Sequence, residues 1–432
     1  MDVRIDPHPL EGSLAAIPSK SMAHRLLVLS ALSDGITDLT CPATSQDIEA
    51  TIRCLRSLGA PAARTRTGWR MVPLAVGGVR ANARLDAGES GSTLRFLLPV
   101  VAALGRGASL TGRGRLAERP LAPLDEQLVA HGASLSQWGR FPLVVSGTLR
   151  PGVFELPGSV SSQFASGLLM AAPLMDGDVE VLVSEPVESR GYIDLTVAAL
   201  AGFGVRVREA RRSIDGMTYR SYAIDADARL VTPGTCTVEG DWSNAAFWLA
   251  AGALGPTPLS VTGLDARSRQ GDRAMLAALS LLGARVGRGA GIVAASRDAL
   301  HAHTIDVSGI PDLVPPLAAV ASVANGTTRL ANAGRLRLKE SDRLSTVCQA
   351  IRALGGRAAT EGDDLLVTGV PTLAGGTVDA ANDHRIAMMA AICAAYADGP
   401  TTILGAQCVA KSYPGFFDDF RSLGGRATES EE

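Results

Sequence analysis

The chain has 432 residues, of which 46% are hydrophobic and 19% are charged, and its formal net charge is −2. This composition is ample for a large hydrophobic core, and it predicts neither a basic surface for nucleic acid nor an acidic tail. Aromatic residues make up only 4% of the chain, which disfavours a surface on which nucleic-acid bases stack. No apolar run reaches the roughly 18 residues that a membrane-spanning helix needs. We therefore predict no nucleic-acid partner and no membrane association.

The predicted location is the cytoplasm. Residues 1–19 lack the basic start and apolar stretch of a signal peptide. The six cysteines are scattered without a CxxC pair, a pattern that favours reduced thiols over a disulfide framework or a zinc site. The chain also lacks the GxxxxGK[ST] motif of a phosphate-binding nucleotide loop.

Only three of the 41 basic residues are lysines, at positions 20, 339 and 411. Arginine and lysine are nearly interchangeable on a solvated surface. They are not interchangeable where a compact ammonium group must sit and exchange a proton. The rarity of lysine therefore marks Lys20, Lys339 and Lys411 as candidates for chemistry.

Two series of glycines recur along the chain at a spacing of about 72 residues. One series ends helix-like segments that run into a strand, at Gly59, Gly132, Gly204, Gly283, Gly355 and Gly424. The other precedes short β-branched stretches, at residues 35, 107, 177, 255, 326 and 399. One glycine at a helix end is a generic signal, but two series in phase indicate an internal repeat. We predict an α/β fold of six βαβαββ repeats.

The first helix of each repeat is apolar on nearly every side, which predicts that it is buried. We call these segments the inner helices; their predicted bounds are Ser21–Ser33, Ser92–Leu104, Ser161–Met175, Trp242–Leu254, Asp312–Ala324 and Asp383–Ala397. The second helices, of which residues 45–58 are the type, have one polar face. They are predicted to lie outside and are called the outer helices.

The two ends of the chain are predicted to come together in the sixth repeat. The chain ends eight residues after Gly424, whereas residues 1–17 precede the first inner helix, so we predict that residues 1–17 supply the strands that the sixth repeat lacks. Six repeats divide into two lobes of three, with predicted ranges 18–229 and 230–432 plus 1–17. The chain would cross between them near Pro18 and at residues 230–235, where we predict a hinge beside a ligand cleft.

Polar residues begin the inner helices. Serine, aspartate and asparagine are common helix caps, and at Asp241 and Asn382 capping and ligand contact both remain open. Several other starts carry more cations or donors than a cap requires, namely Lys20 with Arg25, Ser161 with Ser162 and Gln163, and Arg385. Free N–H groups and the positive end of the helix dipole attract anions. These starts therefore predict a ligand with two or more anionic groups.

The loop before the outer helix carries charge in several repeats, at Arg115–Pro120, Ser189–Arg190, Arg335–Arg343 and Lys411. A strand that leads into a solvated helix start would also explain any one of these clusters. Their recurrence at the same place in the repeat favours a functional role.

Eight ordered motifs over the whole chain resemble the 5-enolpyruvylshikimate-3-phosphate (EPSP) synthase family: PSKSMAHR (18–25), GESGSTLRFLLP (88–99), ERP (118–120), GSVSSQFASGLLMAAPL (158–174), VEGDWSNAAFWLA (238–250), LKESDR (338–343), NDHRIAM (382–388) and AKSYPGFF (410–417). The resemblance implies a two-lobed inside-out α/β barrel with helices inside and sheets outside. It also implies transfer of the enolpyruvyl group of phosphoenolpyruvate to the 5-hydroxyl of shikimate 3-phosphate, with release of phosphate. That step belongs to the shikimate pathway to chorismate and aromatic amino acids. The family needs no metal or organic cofactor and is the target of glyphosate, and we expect a monomer.

The resemblance also implies roles for individual residues. Those matching shikimate 3-phosphate contacts are Ser21, Arg25, Ser161, Ser162, Ser189 and Lys339. Those matching phosphoenolpyruvate contacts are Lys20, Gly91, Arg119, Gln163, Arg343, Arg385 and Lys411. Proton transfer is implied for Asp312, as base for the attacking hydroxyl and a substrate contact, for Glu340 and for Lys20. The chain departs from the family at Glu89 and Arg335, each of which replaces a frequent asparagine.

Three other functions compete with this interpretation. The sister enzyme that acts on UDP-N-acetylglucosamine normally carries a cysteine before its Arg-Pro pair, and residues 111–120 contain none. An RNA 3′-phosphate cyclase would require a nucleotide and a catalytic histidine that the sequence does not identify. A non-catalytic repeat scaffold would not concentrate lysine, aspartate and glutamate in equivalent loops.

Overall fold

The computed structural model describes residues 1–289 and 291–430. The described strands form six four-stranded sheets, one for each predicted repeat. In every sheet, with the strands taken in spatial order, the first and second strands are parallel to each other. The third strand is antiparallel to the second, and the fourth is antiparallel to the third. In spatial order, the strands are Thr235–Thr237, Thr37–Thr40, Gly68–Met71 and Ala62–Arg64 in the first repeat; Ala83–Asp86, Ala108–Thr111, Leu143–Gly147 and Ala133–Leu135 in the second; Gly152–Pro157, Val179–Ser184, Met217–Ile224 and Arg208–Ile214 in the third; Gly12–Ala15, Leu259–Thr262, Ile292–Ser296 and Arg285–Gly289 in the fourth; Thr304–Asp306, Thr327–Ala331, Asp364–Thr368 and Arg357–Glu361 in the fifth; and Gly376–Asp379, Thr401–Leu404, Asp2–Asp6 and Arg426–Ser430 in the sixth.

Three of these sheets take a strand from a distant part of the chain. Asp2–Asp6 completes the sixth sheet, where Val3 pairs with both Ile403 and Glu429. Gly12–Ala15 instead pairs with Leu259–Thr262 in the fourth sheet. The prediction that residues 1–17 complete the sixth repeat is therefore right for the first strand and wrong for the second. The fourth repeat needs that second strand because the segment before its inner helix, Thr235–Thr237, pairs in the first sheet.

The inner helices are buried as predicted. Their observed bounds are Lys20–Leu32, Gly91–Leu104, Ser162–Ala171, Trp242–Leu254, Val314–Ala321 and His384–Ala394. Every residue of Trp242–Leu254 is buried. The third inner helix is shorter than predicted and ends in a 3₁₀ turn, Ala172–Leu174, because Pro173 has no N–H for an α-helical hydrogen bond. A 3₁₀ turn, Pro311–Leu313, likewise precedes the fifth inner helix.

The outer helices are Gln46–Leu58, Leu124–Ala130, Arg190–Gly202, Met275–Leu281, Arg343–Ala353 and Phe416–Ser422, and one further short helix spans Leu74–Gly77. In the first of them, the Ser45 hydroxyl accepts a hydrogen bond from the Ile48 N–H, and Gly59 ends the helix with a φ of 112°. Such a cap and a left-handed glycine are the usual ends of a helix. Apolar side chains of this helix are buried and Arg53 and Arg56 are exposed, as its amphipathic pattern predicts.

The chain folds into two compact units, each with its own hydrophobic core. We call residues 20–238 the N-terminal unit, and residues 1–19 with those from 239 onward the C-terminal unit. The predicted boundary at 229–230 differs, because strand Thr235–Thr237 pairs with Thr37–Thr40 and so belongs to the N-terminal unit. The predicted hinge stays a prediction, and residues 431 and 432 of the predicted range lie outside the described residues. No described helix has the length and apolar character to cross a membrane.

Candidate active site

The candidate residues form two groups, one in each unit. The N-terminal cluster comprises Lys20, Ser21, Arg25, Gly91, Arg119, Ser161, Ser162, Gln163 and Ser189. The C-terminal cluster comprises Asp312, Lys339, Glu340, Arg343, Arg385 and Lys411. The inner helix starts carry most of the N-terminal cluster, and the loops before the outer helices carry Arg119, Lys339 and Lys411.

Lys20 begins its inner helix beside a carboxylate. Its Nζ lies 2.8 Å from Asp47 Oδ2, and the two side chains are only 16% and 13% exposed. Asp47 lies in the first turn of Gln46–Leu58, where the helix dipole favours a negative charge. Lys20, a candidate because lysine is rare in this chain, therefore forms an ion pair with Asp47, which was not predicted from the sequence.

The Arg25 guanidinium is buried among neutral acceptors. It donates hydrogen bonds to the backbone oxygens of Ser21 and Tyr192, at 2.6 and 2.7 Å, and to the hydroxyls of Thr196 and Ser166, at 2.7 and 3.2 Å. Burial lowers the pKa of Arg25 to about 9, which still leaves it charged at neutral pH. A buried cation that is solvated only by neutral groups is well suited to bind an anion.

The neighbouring histidine adds no positive charge to this region. His24 is buried, and its Nδ1 lies 2.7 Å from the Thr51 hydroxyl. Burial, together with the charges of Lys20 and Arg25, lowers the pKa of His24 well below its usual value. The imidazole is therefore neutral at physiological pH, and the positive charge of the region comes from Lys20 and Arg25.

Gly91 lies against two guanidinium groups. A Cβ atom at this position would lie 2.6 Å from Arg95 Nη1 and 2.7 Å from Arg119 Nη1. Arg95 also donates to Gln163 Oε1 at 3.3 Å, and Gln163 Nε2 donates to the Ser92 hydroxyl at 2.9 Å. Arg95, a buried cation that the sequence analysis placed in an apolar helix, therefore belongs with the predicted residues Gly91, Arg119 and Gln163.

Three serines complete the N-terminal cluster. The Ser161 hydroxyl accepts a hydrogen bond from the Gln163 N–H at 3.3 Å and so caps the third inner helix, and the buried Ser162 begins it. Ser189, also buried, precedes the outer helix Arg190–Gly202 with a φ of 55°. A left-handed backbone is uncommon for serine, and residues held in such conformations concentrate at functional sites.

Asp312 is the centre of the C-terminal cluster. Its Oδ1 lies 3.0 Å from Arg343 Nη1 and 3.4 Å from Lys339 Nζ, and its Oδ2 lies 3.1 Å from Arg385 Nη2. Burial alone would raise the pKa of Asp312, but the charges of Arg385, Lys339 and Arg343 outweigh it and hold the pKa well below its usual value. Burial lowers the pKa of Lys339, while the charge of Asp312 partly restores it.

Arg343 holds three carboxylates at once. Its side chain is 1% exposed, and it donates to Glu340 at 2.6 Å, to Asp312 at 3.0 Å and to both oxygens of Asp383 at 2.9 and 3.1 Å. Burial would lower the pKa of Arg343, but the three acids raise it above its usual value. These contacts use most of its N–H groups, so Arg343 is placed to orient Asp312 and Glu340.

The remaining cations lie on the sixth inner helix, at Arg385, and on the segment that follows it, at Lys411. The Asp383 carboxylate caps this helix by accepting a hydrogen bond from the Arg385 N–H at 3.0 Å, so the cap is Asp383 and not Asn382. Arg385 Nη2 donates to the Ser243 hydroxyl at 2.7 Å, and Lys411 Nζ donates to the Asn382 carbonyl at 2.6 Å. At the fourth inner helix the Asp241 carboxylate accepts from the Asn244 N–H at 2.8 Å, which assigns it a capping role.

The two clusters offer different chemistry. The N-terminal cluster sets cations beside helix starts and neutral donors, an arrangement that binds anions. The C-terminal cluster places two carboxylates within hydrogen-bond distance of lysine and arginine, an arrangement that can move protons. Residues 1–289 and 291–430 include no group of three or more histidine, cysteine, aspartate or glutamate side chains that could hold a metal ion.

Comparison with known proteins identifies relatives that match nearly the whole chain. The family model described as EPSP synthase (3-phosphoshikimate 1-carboxyvinyltransferase) matches residues 5–420. The proteins named 3-phosphoshikimate 1-carboxyvinyltransferase from Clostridium kluyveri and Clostridium botulinum are 39% and 38% identical, and each alignment covers 99% of this chain and 98% of the relative. The chain belongs to the EPSP synthase family.

Solved structures confirm the fold of this EPSP synthase family member. EPSP synthase from Acinetobacter baumannii superimposes with a TM-score of 0.80 at 24% identity, covering 99% of this chain and all of that one. The enolpyruvyl transferase NikO from Streptomyces tendae gives a TM-score of 0.78 at 19% identity over 99% of this chain and 98% of that one. The predicted α/β class, with six repeats of sheet and helix, is confirmed, as is the predicted family.

Three residues that contact the clusters, Arg95, Asp47 and Asp383, were not predicted as site residues from the sequence. Arg95 is placed in an apolar helical run, Asp47 looks like an ordinary first-turn acid, and Asp383 looks like a cap. The pairings that give them a role with Gly91, Lys20 and Arg343 connect residues from 4 to 40 positions apart. Asp383 lies two residues before the predicted cation Arg385, a local signal that could have found it, whereas Asp47 is 27 residues from Lys20 and has no such signal.

Proposed function

We propose that this EPSP synthase family member transfers the enolpyruvyl group of phosphoenolpyruvate to the 5-hydroxyl of shikimate 3-phosphate and releases phosphate. The observation that carries the proposal is the 39% identity over nearly the whole chain to a relative named for this reaction. Both substrates carry a carboxylate and a phosphate. The buried, neutrally solvated Arg25 and the cationic helix starts suit such anions.

The reaction requires two proton transfers that are later reversed. A proton is added to the methylene carbon of phosphoenolpyruvate, and the substrate hydroxyl loses its proton as its oxygen attacks the neighbouring carbon. The tetrahedral intermediate then loses phosphate and a methyl proton to restore the enol ether. We assign the hydroxyl proton to Asp312 and the carbon proton to Glu340 and Lys20, where each acid or base would contribute about 10²–10⁴-fold.

The cations around Asp312 tune it for this role. In the structure they keep Asp312 ionised and ready to accept a proton, but they also make it a weak base. Lys339 is assigned to shikimate 3-phosphate, so the bound anionic substrate would weaken the electrostatic stabilisation that Lys339 gives to the Asp312 carboxylate. We expect the pKa of Asp312 to rise on substrate binding, toward the range in which a general base works well.

The remaining assignments follow the family motifs. Shikimate 3-phosphate is bound by Ser21, Arg25, Ser161, Ser162, Ser189, Asp312 and Lys339. Phosphoenolpyruvate is bound by Lys20, Gly91, Arg119, Gln163, Arg343, Arg385 and Lys411. We further propose a cytoplasmic monomer without nucleic-acid or membrane partners, in line with the scattered cysteines and the net charge of −2.

Phosphate release tests the proposal. The protein is incubated with phosphoenolpyruvate and, in separate reactions, shikimate 3-phosphate, UDP-N-acetylglucosamine or no acceptor. We expect phosphate only with shikimate 3-phosphate, and none from a matched Asp312→Asn, Glu340→Gln double variant. Release with UDP-N-acetylglucosamine instead would assign the protein to the sister reaction, and release in neither case would refute the proposed function.

A further inference from the structure

Arg25 is held by two hydroxyl groups, of Ser166 and Thr196, to which the family resemblance assigned no role. Thr196 Oγ1 accepts from Arg25 Nε at 2.7 Å, and Ser166 Oγ accepts from Nη2 at 3.2 Å. Thr196 Oγ1 also donates to Ser166 Oγ at 2.8 Å. Both side chains are wholly buried. Thr196 lies on the outer helix Arg190–Gly202 and Ser166 on the inner helix Ser162–Ala171, so the pair joins two helices at one guanidinium group.

The contacts of Arg25 with the described residues account for four of its five N–H groups. A guanidinium group has five N–H bonds, and four of them donate within the N-terminal unit to Thr196, Ser166 and the backbone oxygens of Tyr192 and Ser21. The remaining N–H is on Nη1. The Phe96 ring lies 5.0 Å from the guanidinium carbon, so a cation–π contact adds to the four hydrogen bonds that hold the group.

A second buried arginine shows what a different set of partners would do. Arg343 is also almost fully buried, but its partners are the carboxylates of Asp312, Glu340 and Asp383. Carboxylates are stronger acceptors than hydroxyls, and they also neutralise the cation. Hydroxyls accept the same hydrogen bonds while leaving the positive charge uncompensated.

We propose that Ser166 and Thr196 are positioning residues, which orient the Arg25 guanidinium with neutral hydroxyl acceptors. The charge of Arg25 is then balanced by an anionic group of shikimate 3-phosphate when that substrate binds. This inference rests on the proposed function. The hydroxyl pair determines affinity for that substrate and takes no part in proton transfer.

The test removes one hydroxyl at a time. Thr196→Val keeps the shape and loses the acceptor, Ser166→Ala does the same at the second position, and Thr196→Ser restores the hydroxyl. The matched control is Thr401→Val, because Thr401 is wholly buried in the C-terminal unit and its hydroxyl makes no hydrogen bond within the described residues. Thermal unfolding establishes that each variant is folded.

Calorimetry with shikimate 3-phosphate and steady-state kinetics give the readouts. We expect Thr196→Val and Ser166→Ala to raise the dissociation constant for shikimate 3-phosphate by roughly tenfold, since each loses a hydrogen bond to a charged group. The KM for phosphoenolpyruvate and kcat should stay within about threefold of wild type, because the affected cation contacts only one substrate. Thr196→Ser and Thr401→Val should bind like wild type.

The outcomes separate this inference from the proposed function. Wild-type turnover with unchanged affinity in Thr196→Val and Ser166→Ala would overturn the inference alone. A parallel loss of kcat and of affinity for both substrates, without rescue by Thr196→Ser, would indicate a general structural role and also overturn it. A wild-type protein that does not bind shikimate 3-phosphate would overturn both.

Discussion

Arg25, which is buried, and Asp312, which is half-buried, show how the partners of a charged residue prepare it for function. Arg25 is solvated by hydroxyl and carbonyl oxygens and keeps its charge for a ligand, whereas Asp312 is surrounded by three cations of the protein. The first arrangement favours recognition of an anion. The second keeps a carboxylate proton-free, and its strength as a base then depends on what else binds those cations.

The depressed pKa of Asp312 predicts a pH-dependent contribution to stability. The folded pKa lies below the unfolded one, so the ionised carboxylate stabilises the fold above the unfolded pKa of about 3.9, and this contribution is lost as the pH falls through the folded pKa. At pH 7 we expect Asp312→Asn to lower the free energy of unfolding by about 3 kcal/mol, because Lys339, Arg343 and Arg385 each lose one ionic contact. Urea unfolding should show this difference shrinking below about pH 4. A difference that is constant from neutral to acid pH would contradict the charge-based account.

The lysine count predicts that charge-conserving substitutions are harmful. Lys20 Nζ lies 2.8 Å from Asp47, and Lys411 Nζ lies 2.6 Å from the Asn382 carbonyl in a buried position. A planar guanidinium group cannot occupy these positions without moving its neighbours, so Lys20→Arg and Lys411→Arg should each lower kcat/KM by at least about tenfold. The control is the exposed Arg285, where Arg285→Lys should be neutral. Wild-type kcat/KM in either lysine variant would remove the special status of these residues.

At the scale of the element, the ends of the inner helices carry both structure and function. Serine or aspartate side chains cap four of these helices, and the same turns present Gly91, Gln163 and Arg385. Capping satisfies some of the free N–H groups at a helix start and leaves the others, with the helix dipole, to act on a ligand.

Gly91 provides the test at this scale. The methyl group of Gly91→Ala would displace the Arg95 and Arg119 guanidinium groups, which lie within 2.7 Å of its position. Because alanine is a better helix former by about 1 kcal/mol, the fold should not be weakened. We expect a several-fold higher KM for phosphoenolpyruvate and weaker inhibition by glyphosate, whose longer phosphonate needs more room. Gly202→Ala, with open space around it, is the control. An inhibition constant that does not rise in Gly91→Ala would show that Gly91 does not line the phosphonate site.

How far the sequence predicts these elements depends on the range of the interaction. Burial of Trp242–Leu254 follows from its own apolar residues, and the cap at Asp241 follows from its neighbours. The end of the third inner helix at Ala171 depends on Pro173 and could have been read locally. The pairing of Gly12–Ala15 with the fourth sheet could not, because a four-residue strand carries no pattern that identifies its partner.

The candidate site shows the same division. Its cations and acids are predicted because their motifs are local, and Lys20, Arg385 and Lys411 each lie in a short polar run. The bonds that define their chemistry are not local, such as that of Arg343 with Asp383, 40 residues away. Only the fold brings these partners together.

At the scale of the whole molecule, some sheets combine strands from distant parts of the chain: Gly12–Ala15 pairs with Leu259–Thr262, and Thr235–Thr237 pairs with Thr37–Thr40. The N-terminal unit is one continuous segment that includes Thr235–Thr237, so residues 20–238 expressed alone should fold cooperatively. Residues 20–229 lack that strand and the buried side chains of Leu230 and Val238, and should be less stable by about 3 kcal/mol. Urea unfolding of the two fragments measures this difference. Equal stability would place the boundary at residue 230 and contradict the strand pairing.

The reaction in deuterated water tests the account most directly. If an exchangeable acid of the protein protonates the methylene carbon of phosphoenolpyruvate, deuterium must enter the methyl group of the intermediate and remain in part of the product. Nuclear magnetic resonance of the product formed from phosphoenolpyruvate and shikimate 3-phosphate should show an enolpyruvyl ether at the 5-oxygen with deuterium in its methylene group. An enolpyruvyl ether without deuterium would contradict the assigned proton transfers, and the absence of any enolpyruvyl ether would contradict the assigned reaction.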